Sequence, residues 1–357
     1  MTIYILLILY VLTLYVFSAA VMADRTHRET FILRMGMLAI FLLLALKKET
    51  VGIDIVGYRE QYDLSAIVAW QDTNYVYFEP GYIQLMKVFS KAGLDFQVFA
   101  ACIYAVCCGA YYRFARRYSR NMTLSLLIFI CYQFLVFYTS GLRQALAMAI
   151  CIYGFLVLDG KWAGIRTRTA GCVLLVLAAS LIHKSALLFL VVAVCYSWMR
   201  QRVFWRIMIL ASGGAVLVRS VLLRILAYLF DLRQTGQITL GGNFLFLAGL
   251  AVFCAFACYQ KIGNEQEDAV RYLTLATNMT MLSVVLQILF SGSSLLRSTM
   301  YLTLFLIPGL PCALKRYDRR IEFVMTGLLG LFLIWLFWTE TLSVNQLNLC
   351  PYRFFWE

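Results

Sequence analysis

Asp54, Asp63, Glu79, Arg143, His183, Lys184, Arg297 and Arg353 fall in or beside strongly apolar stretches of this 357-residue chain. Ionisable groups at membrane depth are costly, so by default they mark a functional site. Arg143 stands in Gly141-Leu142-Arg143-Gln144-Ala145-Leu146-Ala147, which reads as the start of a helix. The N–H groups and positive dipole end found there disfavour a cation unless an anion joins it. With an anion, guanidinium and helix N-terminus together make a phosphate or carboxylate receptor. The plainer alternative is an arginine reaching up to lipid head groups; Gln144 and the Ala-x-Ala that follows favour a place inside a bundle. His183 is one of 2 histidines, the other being His27 in a basic connection. A recessed imidazole can act as a general base or hydrogen-bond a phosphate, or it can be a satisfied polar contact within the bundle. Arg297, opening a late span, and Arg353, near the C-terminus, would form with Arg143 a cluster suited to a diphosphate.

The elements that must position these residues are membrane helices. The chain is 62% hydrophobic and 14% charged, with mean hydropathy +0.80, where soluble proteins carry roughly 25% charged residues. About 20 apolar residues cross a bilayer. Spans are expected near 3–22, 31–46, 96–112, 122–139, 142–158, 169–182, 185–198, 207–230, 244–260, 272–291, 298–314 and 321–338. The fold class is therefore all-α and polytopic, a single transmembrane domain over 1–357, with an outer loop 47–95 and an outer tail 339–357. No secretory leader is expected, because the positive charges follow the first span rather than precede it. The net charge of +13 gathers in alternate connections: Arg25/Arg28/Arg34, Arg113–Arg120, Lys161–Arg168, Arg200–Arg206, Lys261/Arg271 and Lys315–Arg320. The positive-inside rule puts these in the cytoplasm and both termini outside. Short basic loops of this kind serve orientation, and no nucleic-acid partner is expected.

Three stretches depart from regular spans. The segment 47–80 sets carboxylates (Glu49, Asp54, Glu60, Asp63, Asp72, Glu79) among aromatics (Tyr58, Tyr62, Trp70, Tyr75, Tyr77, Phe78). Such a mixture suits sugars, whose apolar faces stack on rings and whose hydroxyls need partners; an interfacial aromatic belt has the same look. Pro80 at the first helical position, with Glu79 as cap, starts a helix over 81–93 that is too short to span. The apolar run Ala170 to Met199 is broken only at His183-Lys184-Ser185. With basic residues at both its ends, it reads as a short hairpin that carries His183 at a recessed tip. Polar backbone at such depth is tolerated only against protein or a water-filled cavity. No Walker loop, G-x-G-x-x-G, H-E-x-x-H or G-x-S-x-G occurs in a supporting context. The 11 cysteines lack Cys-x-x-Cys or Cys/His spacing, so neither metal nor cofactor nor structural disulfide is expected.

Several stretches, taken in order, resemble the EpsG family of Wzy-like polysaccharide polymerases. They are Gly52-Ile53-Asp54 with Tyr58 and Tyr62, Glu79-Pro80-Gly81-Tyr82, Gly141-Leu142-Arg143-Gln144-Ala145, and Ile182-His183-Lys184-Ser185-Ala186. Arg297 with Tyr301 and Pro308, and the terminal Pro351-Tyr352, complete the set. The resemblance implies a bacterial inner-membrane enzyme of glycosyltransferase-C-like fold, without the large outer domain many such enzymes carry. It would transfer a growing glycan from undecaprenyl diphosphate onto a fresh lipid-linked repeat unit at the periplasmic face, making O-antigen of lipopolysaccharide, capsule or exopolysaccharide. Its partners would be the lipid-linked oligosaccharide, membrane lipids and a chain-length regulator. On this reading Arg143, with Arg297 or Arg353, holds the diphosphate, and Asp54, Glu79 or His183 takes the acceptor proton. Gln144, Lys184, Tyr58, Tyr62 and Tyr82 line the substrate. A lipid-linked glycan transporter would use the same basic outer cavity without forming a bond. A transferase using polyprenyl-phosphate sugars would add single residues, and a sugar acyltransferase fits the outer position of His183 poorly.

Overall fold

In hydrocarbon a backbone must satisfy its own N–H and C=O groups, so apolar runs fold as helices. The computed structural model describes residues 1–72, 78–201, 204–230, 242–259, 267–291 and 293–357. Tyr75 and Tyr77 of the aromatic segment, and Arg202 and Lys261 of the basic connections, lie outside that set. In chain order the helices are α1 Thr2–Val21, α2 Arg25–Ala45, α3 Ile55–Ile67, α4 Pro80–Lys91, α5 Phe96–Tyr118, α6 Met122–Cys131, α7 Phe134–Ser140, α8 Leu142–Leu158 and α9 Ile165–Ser180. There follow α10 Leu190–Met199, α11 Phe204–Phe230, α12 Gly242–Tyr259, α13 Glu267–Phe290, α14 Met300–Thr303, α15 Leu306–Leu314 and α16 Arg319–Phe337. An isolated antiparallel bridge joins Lys47 to Phe354.

Five of these helices are long and apolar enough to cross a membrane, and two bent pairs bring the number to 7 if each is one span. Many of their large apolar side chains face outward, Leu217 at 81% and Phe323 at 74% exposure among them. A surface of that kind suits lipid rather than water. The segment 122–139, read as one span, is two helices bent by 52°. The bend sits at Gln133, whose φ of 59° is left-handed. The second bent pair, Leu295–Thr303 with Leu306–Leu314, turns by 42°. Pro308 explains that turn, since it has no N–H to return to Leu304.

Contacts divide the chain into two compact units, one of Met1–Arg117, Asn121–Leu187 and Val324–Glu357, the other of Tyr118–Arg120 and Leu188–Phe323. In the first unit α6 is buried at every residue, as a helix apolar all round should be. It packs on α1, α2 and α7, while α8 lies along α9. The basic connections gather at one end of this unit. There Arg117 pairs with Asp159 at 3.5 Å, and Glu29 Oε2 accepts the Met122 N–H at 2.7 Å. At the other end the C-terminal tail is tied to α1, α2 and the turn after α2. Tyr4 donates to the Leu349 carbonyl at 3.1 Å, and Tyr352 to that of Leu43 at 2.8 Å. The Lys48 and Phe355 N–H groups bond Arg353 O and Leu46 O, both at 2.9 Å.

The stretch read as an outer loop over 47–95 contains two helices, α3 and α4. The inner face of α3 is Ile55, Tyr58, Tyr62 and Ser65, a 3–4 spacing masked in the sequence by the charges between them. Helix α4 starts at Pro80 as expected and has 12 residues, about 18 Å of rise, short of a span. Ser65 and Ser90 share a 2.8 Å hydrogen bond. Lys87 Nζ reaches the carbonyls of Ala69, at 2.6 Å, and of Trp70 and Asp72, holding the chain that leaves α3.

The second unit is built around α13, with α10, α11, α12, α14 and α15 against it. Among its buried polar groups, Asn278 Nδ2 donates to the carbonyls of Met199 at 2.7 Å and Gln201 at 3.0 Å, and Ser283 meets Thr303 at 2.7 Å.

Candidate active site

Three chain turns meet in the first unit at the end where the tail is tied: the start of α4, the start of α8, and the turn after α9. Each delivers one polar group. Glu79 precedes Pro80 and occupies the N-cap position of α4, yet its side chain makes no capping bond. The cap expected from sequence is thus replaced by a tertiary contact. Glu79 Oε2 accepts from Arg143 Nη1 at 2.6 Å, and Oε1 accepts the backbone N–H of Lys184 at 2.9 Å. The pair is largely enclosed, with the arginine side chain 17% and the glutamate 10% exposed.

Arg143 is the second residue of α8, after Gly141 ends α7 and begins the next helix. Its guanidinium stacks on Phe78, 3.9 Å from ring centroid to Cζ, and Nε donates to Tyr58 OH at 3.4 Å. Tyr58, Phe78 and Tyr82 are mutually in edge or tilted contact at 5.5–6.0 Å. Such stacking holds a cation by its face and fixes the fork's direction.

Helix α9 ends at Ser180, and the chain turns through Leu181–His183 into a 3-10 segment, Lys184–Phe189, so the break falls where the sequence puts it. His183 Nδ1 lies 3.9 Å from Glu79 Oε1. It accepts the Ser185 N–H at 3.2 Å, with the Ser185 hydroxyl at 2.9 Å. Because an amide N–H can only donate, the neutral ring carries its proton on Nε2. Burial holds the imidazole below its ordinary value of 6.5; Glu79 opposes that shift and Arg143 adds to it.

Two glycines let these pieces approach. A Cβ on Gly81 would lie 2.7 Å from the Leu181 carbonyl oxygen, so α4 abuts the turn that presents His183. Gly52, with φ of 105°, would place a Cβ 2.4 Å from the Thr139 carbonyl oxygen. Beside it Asp54 Oδ2 accepts the Ser140 hydroxyl at 2.9 Å, and the Asp54 N–H donates back to Ser140 at 3.2 Å. Asp54 thereby locks the end of α7, from which α8 and Arg143 depart. The tail reaches the same loop, since Gly52 N–H donates to Asn348 O at 3.2 Å and Ile53 N–H to Leu347 O at 3.0 Å.

Arg143, Glu79, His183, the Lys184 backbone, Tyr58 and Tyr82 are thus brought into one cluster. The Lys184 side chain and Arg353 are exposed, and Gln144 is buried in the first turn of α8. Tyr62 serves another corner, donating to Leu94 O at 2.6 Å and packing on Phe96 and Phe99. Arg297 belongs to the second unit, on the 3-10 turn Ser294–Thr299. Sequence reading did not single out Phe78, Ser140, Gly52 or Gly81 for these roles. Phe78 stands next to Glu79, and the two glycines stand beside the charges they admit; those adjacencies were the available signal. Among the described residues no group of three or more His, Cys, Asp and Glu is placed to hold a metal.

Apolar helices with outward-facing side chains, enclosing an ion pair at one end, define a multi-pass membrane protein with a polar site. A family model for the EpsG family matches residues 30–354. The chain belongs to that family, the Wzy-like polymerases, and so is a membrane protein of the polysaccharide-polymerase type. Comparison with curated proteins and with solved structures found no match.

Proposed function

We propose that the protein is a polymerase of the bacterial inner membrane that moves a growing glycan from undecaprenyl diphosphate onto a lipid-linked repeat unit. The observation that carries this reading is the enclosed Arg143–Glu79 pair, in a member of this family, at the end of the first unit away from the basic connections. By the positive-inside rule that end faces the periplasm. The proposed fold is glycosyltransferase-C-like with twelve spans. The shorter apolar helices Leu142–Leu158, Lys184–Met199 and Phe244–Cys258, with α2 and α9, would supply the five spans beyond the seven.

In the proposed reaction a hydroxyl oxygen of the acceptor sugar attacks the anomeric carbon of the donor. The bond to the diphosphate breaks and its electron pair leaves on the phosphate oxygen. Arg143 compensates that charge, as fixed cations do for developing oxyanions, and Lys184 with Arg353 adds to the field. The hydroxyl proton passes to a carboxylate, for which Glu79 is favoured over Asp54 because it lies directly beside Arg143, whereas Asp54 accepts the Ser140 hydroxyl at the end of α7. His183, protonated on Nε2, serves as a donor to a phosphate or sugar oxygen. Tyr58 and Tyr82 would supply stacking surface, and a chain-length regulator would act from outside the site. Replacing Arg143 with Ala tests the reading in cells: polymer is lost while the amount of protein in the membrane is kept. A polymer ladder of wild-type length from that variant overturns it.

A further inference from the structure

The guanidinium that the proposed reaction needs is already engaged. Arg143 Nη1 and the Lys184 N–H both point at Glu79, at 2.6 and 2.9 Å. A cationic fork and a backbone N–H are also the donors that a phosphate oxygen takes. Carboxylate and phosphate therefore compete for one pair of donors. Arg143 is held independently of Glu79 by the Phe78 ring, with its centroid at 3.9 Å, and by Tyr58 OH at 3.4 Å. Glu79 has somewhere else to go: it occupies the N-cap position of α4 without using it, where Pro80 has no N–H and the Tyr82 N–H is taken by the Glu79 and Leu181 carbonyls, so the Gly81 N–H is the donor in reach.

We propose that Glu79 is an internal competitor that fills the anion site until a diphosphate displaces it from Arg143 and the Lys184 N–H. The inference rests on the polymerase reading and gives its site an order of events. Each Glu79 oxygen is held by one of these two donors, so the carboxylate is not free to turn toward an acceptor hydroxyl. Only after the diphosphate has taken Arg143 is the Glu79 carboxylate released to accept the proton of the acceptor hydroxyl, while the electron pair of the broken glycosyl bond leaves on the phosphate oxygen. The site then becomes active only when the donor is bound, which protects the lipid-linked glycan from stray water.

Binding of inorganic diphosphate to the purified full-length protein, by calorimetry in detergent, tests this. Glu79→Gln keeps the shape and removes the competing charge, so it should bind diphosphate about tenfold tighter than wild type, one decade in Kd. Arg143→Ala should not bind. Equal affinity in wild type and Glu79→Gln, or binding by neither, overturns the proposal. The wild-type protein gives a second readout that no misfolded variant can obscure. Carbodiimide labelling of Glu79, read by mass spectrometry, should rise as diphosphate saturates; unchanged or lower labelling overturns the displacement. Elongation of lipid-linked units is scored separately. A wild type that polymerises without the affinity gain in Glu79→Gln removes only this inference; the gain without polymerisation removes only the polymerase reading.

Discussion

Arg143 and Glu79 illustrate what an enclosed ion pair does and does not supply. Desolvating two charges offsets much of their attraction, so such a pair adds little stability over a well-packed apolar one. Losing a single partner is costly, because it strands the other charge. Arg143→Ala should therefore lower stability by roughly 3 kcal/mol, and Arg143→Met with Glu79→Met together by clearly less than the sum of the two single changes. Thermal melts in detergent decide this, and additive losses would mean that the pair is not coupled. His183 carries a pH signature. Its folded pKa lies below the unfolded value of 6.5, so between the two the unfolded chain binds more protons and stability rises with pH. The contribution is complete above 6.5 and is lost as pH falls through the folded value. Melting temperature should drop on acidification below 6.5, and His183→Ala should flatten that drop. A wild-type slope retained in the variant would place the titration elsewhere. The types of these residues were legible in the sequence. Their pairing was not, because Glu79 meets Arg143 across 64 residues and Lys184 across 105, separations that only the packed helices close.

At the scale of elements, the site depends on where helices stop. Helix α7 is seven residues long and begins after Gln133, a left-handed residue with neither Pro nor Gly to announce it. One apolar run from 122 to 139 therefore reads as one span. Helix α3 escaped for the opposite reason: its inner face repeats at helical spacing, but the charges on its outer face dominate the composition. Helix α4 was legible in its start at Pro80 and in a length too short to span, but not in its cap, because the Glu79 side chain turns to Arg143 instead. The approaches at Gly52 and Gly81 predict two further outcomes. Gly52→Ala combines left-handed strain with a clash against Thr139, and should cost about 1–3 kcal/mol with a parallel loss of polymer. Gly81→Ala meets the backbone of Leu181 and should displace the His183 turn, lowering activity more than the melting temperature. Wild-type activity in Gly81→Ala, measured as polymer per unit of membrane protein, would show that the contact between α4 and the turn is not needed.

At the scale of the molecule, the charge asymmetry along the chain is the most legible feature, because bilayer insertion reads it directly. It sorts the first unit into an end with basic connections and an end with the ion pair, the 46–54 turn and the C-terminal tail. That arrangement predicts an outward C-terminus. A terminal epitope tag should be removed by protease added to intact spheroplasts, while a tag between α8 and α9 should survive; the reverse pattern would turn the site toward the cytoplasm. The number of spans was less legible, since length and hydropathy do not separate a bent or short apolar helix from a straight crossing. The central claim is that this site joins lipid-linked repeat units. The measurement that tests it most directly is incubation of the purified protein with a polyprenyl-diphosphate-linked repeat unit from its own gene cluster, resolved by mass spectrometry. Products that grow by whole repeat units, and that vanish in Arg143→Ala, are the predicted result. An authentic unit left unchanged by the wild-type protein would contradict it.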